Sequence, residues 1–244
     1  MISVRKLTKT LGTQEILRGV DLEVARGQTC VVLGRSGSGK SVLLKHFIGL
    51  FKPNTGEVWV DGEEITHLGE RQLGPVRKKV GILFQSAALF DSMTVEGNIA
   101  FPLRESGLTD EKVIADRVAE ALEMVDLSGE QKKMPENLSG GMRKRVGLAR
   151  TIVSRPACIL YDEPTTGLDP IASDSINRLI RRLQKRLSVT SVVVTHDMKT
   201  AFHTADHVAY LHEGRIYFEG TVDELRASHD PLVDDFIEGR SGDE

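Results

Sequence analysis

Short apolar runs alternate with longer amphipathic stretches through most of the chain, the rhythm of an α/β fold built on a largely parallel sheet. The runs that read as strands are Ile2–Leu7, Val20–Val24, Thr29–Leu33, Glu57–Val60, Val80–Phe84, Ala157–Tyr161, Ser191–Thr195, His207–Leu211 and Arg215–Phe218. Helices are expected to start near Gly39, Asp110, Ser139, Pro170, Met198 and Thr221. The stretch from Asp110 to Val125 shows the helical period most clearly. Ile114, Val118, Ala121, Leu122 and Val125 fall on one face, and Asp110 and Glu111 suit the positive end of the helix dipole. Strand signals with short polar turns dominate up to about Leu33 and again over Gly56–Val60, whereas Phe90–Lys133 reads as helical. This predicts a parallel core with a small antiparallel β portion and an inserted helical segment. No repeat, low-complexity tract or long linker divides the sequence.

Composition narrows the class. With 35 acidic and 32 basic side chains the net charge is -3, which gives no general reason to expect nucleic acid. A hydrophobic share of 40% is ordinary for a folded domain, and no run approaches a membrane-spanning length. The Met1–Lys6 segment has no secretory or transit character. Cys30 and Cys158 sit in the apolar runs TCVVL and ACILY, so they read as buried strand thiols in a reducing compartment. The expectation is a cytosolic protein whose last residues, Arg240–Glu244, form a polar tail.

The chemistry begins at Gly34-Arg35-Ser36-Gly37-Ser38-Gly39-Lys40-Ser41, a full match to the G-x-x-x-x-G-K-[ST] phosphate loop. It follows an apolar strand and opens a helical run, where backbone N–H groups can converge on an anion. Lys40 is expected to reach the β- and γ-phosphates and Ser41 to bind Mg²⁺. The alternative, a glycine-rich turn with a solvated lysine, does not explain the agreement of both flanks. Asp162 and Glu163 end a second apolar strand. Strand alternation would give them different tasks, Asp162 at Mg²⁺ and Glu163 as base for the attacking water. Leu138-Ser139-Gly140-Gly141-Met142 precedes a helix, with Ser139 as N-cap. Alone, that turn is either a well-capped helix start or a second anion site.

In order, Gly34–Ser41, Gln85, Leu138–Met142, Asp162–Glu163, Gly167-Leu168-Asp169 and His196 resemble the ATP-binding cassette (ABC) ATPase family over nearly the whole chain. The resemblance implies a P-loop (RecA-like) α/β nucleotide-binding core with a small antiparallel β subdomain and a helical subdomain at roughly 90–150. It implies a single domain over 1–239, followed by the tail at 240–244. It further implies ATP and Mg²⁺ as cofactors, with Gln85 completing the Mg²⁺ shell and His196 hydrogen-bonding the γ-phosphate. Ser139, Gly140 and Gly141 would then serve the ATP of a second copy in a head-to-tail dimer, with Asp169 at the seam. Two positions depart from the family pattern. Leu11 stands before Gly12 where an aromatic residue usually stacks on adenine, and Met142 stands where Gln is commonest.

Within that family, Ser86–Val95, Ala100–Glu105, the Leu138–Met142 turn and the closing Asp230-Pro231…Phe236–Gly239 resemble the ATPase subunits of Mla-type phospholipid transporters. The resemblance implies an integral-membrane permease contacted around Gln85–Phe101, an MCE-domain lipid-binding protein and, in some relatives, a STAS-domain regulator. The place implied is the cytoplasmic face of the inner membrane, with no nucleic-acid partner. Leu89, Phe90, Met93 and Phe101 would suit a groove for a permease helix, or else the core of the helical subdomain. The basic runs Arg143–Arg145 and Arg178–Arg182 read as solvated helix faces. An importer motor for a small polar solute would share every nucleotide motif. A non-transport ABC protein would usually carry tandem cassettes or long coiled-coil insertions.

Overall fold

Side chains alternate across each central strand and so sort the interior into two apolar layers. On β3 (Thr29–Leu33), Cys30 and Val32 face one layer while Val31 and Leu33 face the other. The computed structural model describes residues 1–240. Before β3 come β1 (Ile2–Leu11) and β2 (Gln14–Val24), and after it α1 (Lys40–His46), β4 (Thr55–Val60) and β5 (Glu63–Glu64). Next are α2 (Glu70–Lys79), β6 (Val80–Leu83), α3 (Val95–Glu105), α4 (Glu111–Met124) and α5 (Gly140–Ile152). The chain continues through β7 (Cys158–Asp162), α6 (Pro170–Leu187), β8 (Thr190–Thr195), α7 (Met198–Thr204), β9 (His207–His212) and β10 (Arg215–Gly220). It ends in α8 (Val222–Arg226) and α9 (Pro231–Glu238).

The architecture is α/β with two sheets. A four-stranded antiparallel sheet runs in the order β2-β1-β4-β5, and a six-stranded sheet in the order β10-β9-β3-β8-β7-β6. In the larger sheet every pairing is parallel except that of β10 with β9. One apolar layer joins the small sheet, α1 and α2 to the large sheet. The other packs α3 to α6 on the opposite face. The carboxyl ends of β3, β6, β7 and β8 therefore meet at one edge, where ligands bind in open α/β sheets.

The strand positions follow the apolar runs, with β2 beginning earlier, at Gln14, than its apolar part suggests. In α4, Asp110 caps the helix by accepting from the N–H groups of Lys112 and Val113, and Ile114, Val118, Ala121, Leu122 and Val125 are all buried. Three helices do not announce themselves by period. Pro75 lies inside α2 and Pro102 inside α3, each breaking the local pattern. α9 is a short helix started by Asp230 and Pro231. From Ser241 onward, the expected polar tail lies outside the described residues.

Candidate functional site

The phosphate loop connects β3, the strand flanked by β8 and β9, to α1. Its shape depends on glycine where the backbone turns left-handed: Gly37 has φ 81° and Gly39, the N-cap of α1, φ 101°. A Cβ on Gly39 would also press within 3.0 Å of Ile16 and Leu17. Lys40 is 5% exposed and folds back along the loop, its Nζ donating to Gly34 O at 2.8 Å and Arg35 O at 3.0 Å. Burial pulls its pKa below the usual lysine value, and the neighbouring Glu163 and Asp162 charges work against that pull. Ser38 Oγ is buried within the loop and has no partner among the described residues. Arg35 instead turns outward, donating to Arg240 O at 3.3 Å.

Ser41 Oγ donates to Asp162 Oδ1 at 2.7 Å, so two hard oxygen groups from different elements are already side by side. Alternation along a strand does not separate the two acids. Asp162 closes β7, but Glu163 leaves the strand with a left-handed φ of 48°, held by its N–H on Val194 O at 2.9 Å. Both carboxylates consequently converge on the phosphate loop. Glu163 Oε1 lies 3.4 Å from Lys40 Nζ. Its Oε2 faces His196 Nδ1 at 3.0 Å and accepts from the hydroxyls of Thr166 and Thr195 at 3.3 Å each. A cavity of about 340 Å³ opens between these groups, lined by Ser36, Gly37, Gly39, Lys40 and Ser41 together with Gln85, Glu163, Thr166, His196, Ile16 and Val42.

The structure thus brings together the loop, Gln85, Asp162, Glu163 and His196 and leaves out four residues. Ser139, Gly140, Gly141 and Asp169 do not line this cavity. Ser139 caps α5 by accepting from Met142 N at 3.2 Å, and exposed Asp169 caps α6 by accepting from Ile171 N and Ala172 N at 2.9 Å. Leu11 is 38% exposed, and it is Ile16 that supplies aliphatic surface at the cavity edge.

Several participants escaped the sequence argument. Thr166 and Thr195 carried no signal beyond lying near a motif. Lys144 is the larger omission, because the run Arg143–Arg145 is not a uniformly solvated face. Lys144 is 5% exposed, and its ammonium donates to the Gln85 carbonyl and to Glu163 O, the latter at 3.3 Å. Arg145 binds Val125 O, Asp126 and Ser175, which leaves Arg143 the exposed member. Lys144 shares the spacing i, i+3, i+4, i+7 with buried Gly147, Leu148 and Thr151, and that was the available signal.

The segment after Gln85 is pinned from two sides. Arg150 donates to Ala87 O at 2.7 Å and Ala88 O at 2.8 Å, where both alanines have positive φ. Buried Asn98 accepts from Phe90 N and donates to the carbonyls of Phe90, Met93 and Thr94. Beside this segment lies a groove of about 780 Å³ lined by Phe84, Phe90, Phe101, Arg117 and Arg150. The Phe90 and Phe101 rings pair at 4.9 Å. Leu89 packs on the core instead, and half-buried Met93 belongs to neither the groove lining nor that core.

A phosphate loop on an inner parallel strand, with two carboxylates at the end of β7, one strand beyond β8, defines a P-loop nucleotide-binding protein. The family model described as ABC transporter matches residues 17–166. This chain belongs to that family: it is an ABC transporter ATPase subunit, which binds ATP and couples its hydrolysis to transport. It is 41% identical over 239 residues to the probable ribonucleotide transport ATP-binding protein mkl of Mycobacterium leprae, covering 98% of this chain and 69% of that protein. It is 41% identical over 241 residues to the intermembrane phospholipid transport system ATP-binding protein MlaF of Haemophilus influenzae, covering 99% and 91%. It is 40% identical over 242 residues to the methionine import ATP-binding protein MetN of Carboxydothermus hydrogenoformans, covering 97% and 71%. Among solved structures, it is similar to the dimeric post-hydrolysis state of the ATP-binding cassette MJ0796 bound to ADP and Pi. That match has a TM-score of 0.83 and 32% identity, over 91% of this chain and 99% of the other.

Proposed function

We propose that this chain is the ATP-hydrolysing motor of a phospholipid transporter. The observation that carries the lipid assignment is the likeness to the phospholipid system's MlaF, which spans 91% of that protein's length at 41% identity. The chemistry rests on the clustered groups. The loop amides and Lys40 bind the phosphates, and Lys40 exchanges its carbonyl partners for phosphate oxygens. Ser41 and Asp162, with the Gln85 amide, form a small all-oxygen set suited to Mg²⁺ that shares its remaining positions with phosphate and water. These residues would hold the ion, and the chemistry it would supply is neutralisation of charge developing on the phosphate oxygens. Glu163 takes the proton of the attacking water, and the hydroxyls of Thr166 and Thr195 orient its carboxylate. His196 stands at the same carboxylate and lines the cavity, where its imidazole would hydrogen-bond the γ-phosphate.

Ser139, Gly140, Gly141 and Asp169 lie away from this cavity, which supports a head-to-tail dimer in which they complete the partner's ATP site. The groove at Phe84, Phe90 and Phe101 fits an apolar permease helix, with an MCE-domain protein and a STAS-domain regulator as further members of the assembly. No helix among the described residues is long and apolar enough to cross a membrane. The proposed location is the cytoplasmic face of the inner membrane, held there by the permease. The likeness to MetN supports a second reading, the motor of an amino-acid importer.

Tagged Glu163→Gln protein, extracted from its native cells with ATP in mild detergent, tests these readings by mass spectrometry of what co-purifies. A polytopic permease, an MCE-domain protein and bound phospholipid are expected. An amino-acid permease in their place overturns the lipid assignment, and ribosomes or DNA-repair proteins alone overturn the transport assembly. The same variant should bind ATP yet turn over roughly 10²–10⁴-fold more slowly. A wild-type rate would remove Glu163 from its role as base.

A further inference from the structure

Two lysines are buried among the described residues: Lys40 in the phosphate loop and Lys144 on α5, each 5% exposed. A buried ammonium is expensive unless its donors are well used. The hydrogen bonds of Lys144 go to two backbone carbonyls from separate parts of the site. One belongs to Gln85, in the loop after β6, and the other to Glu163, in the left-handed turn after β7. Both residues lie just beyond their strands, and at Glu163 the last tie to the sheet is its N–H on Val194 O at 2.9 Å. Lys144 itself stands on the second turn of α5, the helix that Ser139 caps. One side chain therefore ties three segments: the Gln85 loop, the backbone that aims the Glu163 carboxylate, and the helix behind the Ser139 turn.

We infer that Lys144 is a positioning residue for ATP hydrolysis: its ammonium holds the Glu163 backbone in register with Gln85 and α5. A shift in the Gln85 loop or in the Ser139 helix then reaches the Glu163 carboxylate through one side chain, without contact between Lys144 and ATP. This rests on the reading of Glu163 as the base, which the Glu163→Gln rate tests separately.

The experiment compares steady-state kinetics of full-length wild type, Lys144→Met, Lys144→Gln and Thr151→Val, each purified in the assembly it forms in its own cells. Thr151 supplies the control for a purely structural loss. It lies on the same helix, 9% exposed, with its hydroxyl bonded to Gly147 O and Ile82 O and to nothing in the site. Lys144→Met keeps the length and removes the donor. Its kcat should fall roughly 10- to 100-fold, as expected when a reacting group is misaimed, while the KM for ATP stays within about twofold. Lys144→Gln keeps an N–H donor on a shorter stem that reaches one carbonyl only, so its kcat should lie between Met and wild type. Thr151→Val should lower the melting midpoint and keep kcat. A wild-type kcat in Lys144→Met overturns the inference, and so does a loss of kcat in Thr151→Val that tracks its melting midpoint as closely as the Lys144 variants track theirs. Should Lys144→Met fail to fold, Lys144→Gln decides. A reduced kcat at unchanged KM supports the inference, and a wild-type kcat overturns it.

Discussion

Acid should loosen the helix that carries Lys40 and Ser41, because His46 in its last turn is buried in the neutral form. The imidazole is 1% exposed; Nδ1 sits 2.8 Å from Val42 O, to which it donates, and Nε2 is buried with no partner among the described residues. Protonation would place a positive charge in a site that burial shuts off from water, a cost that the backbone carbonyls of Val42 and Lys52 offset only in part. Burial, seconded by the positive charge of Lys9, accordingly lowers the His46 pKa from 6.5 to about 4. The unfolded chain then binds more protons than the folded one between those two values, so stability rises with pH across that window. The His46 contribution is fully present above about pH 6.5 and is lost as pH falls towards 4. At about 1.4 kcal/mol per pKa unit the full loss is ~3 kcal/mol, of which ~2 kcal/mol has gone by pH 5. Urea unfolding, followed at the single tryptophan, Trp59, should show this difference for wild type between pH 7 and pH 5. His46→Asn keeps an amide donor near Val42 and cannot titrate. It should start less stable at pH 7 and lose ~2 kcal/mol less over the same range. Parallel stability curves for the two proteins would refute the argument.

Other substitutions probe the site and its support. Lys40→Ala removes a charged donor from the phosphates and should weaken ATP binding roughly 10- to 100-fold by equilibrium titration; unchanged affinity would remove Lys40 from the phosphate site. Ser139→Arg in the Glu163→Gln background should still bind ATP but stay monomeric by light scattering, and an ATP-dependent dimer would contradict completion of the site in trans. Gly147→Ala should lower the urea-unfolding stability by about 1 kcal/mol. Its Cβ would come within 2.9 Å of Leu83 Cδ1 and 3.1 Å of Ala87 Cβ, and overpacking outweighs the gain in helix propensity. A stabilised variant would show that the β6 side yields freely.

What the sequence made legible followed from strong local rules. The strands of the large sheet could be read because buried parallel strands are continuous apolar runs, as in Thr29–Leu33 and Ser191–Thr195. α4 could be read from its cap and its period. Helix α2 was hidden because tertiary packing overrides the penalty of Pro75, while α3 lay within the Phe90–Lys133 stretch that read as helical and only its start was unmarked. Within the site, the phosphate loop was legible from its glycines. The surroundings of Glu163 were not, because they depend on a left-handed turn that carries the acid off its strand. That turn moves it to the same side as Asp162 and under the Thr166 and Thr195 hydroxyls. Lys144 was hidden in a basic triplet, where charge suggested solvent and only the helical period placed it inside.

The division of the site also has a packing cause. A Cβ on Gly140 would come within 3.2 Å of Leu168 Cδ2, and one on Gly141 within 3.7 Å of Ala172 Cβ. The first contact is tight and the second an ordinary van der Waals one, so α5 lies close against Leu168 and the start of α6, with Gly140 the glycine that the approach favours. The Ser139 turn and the Asp169 cap therefore belong to one continuous surface, although thirty positions of sequence separate them. A partner that engages one must meet the other. If the Ser139 turn serves a second copy's ATP, Asp169 stands at the same seam for a structural reason independent of its capping role. Lys144 then supplies the inward link from that seam: it rises from the helix behind Ser139 and ends on the backbone of Glu163. Closure at the surface and alignment of the base would be two ends of one helix movement.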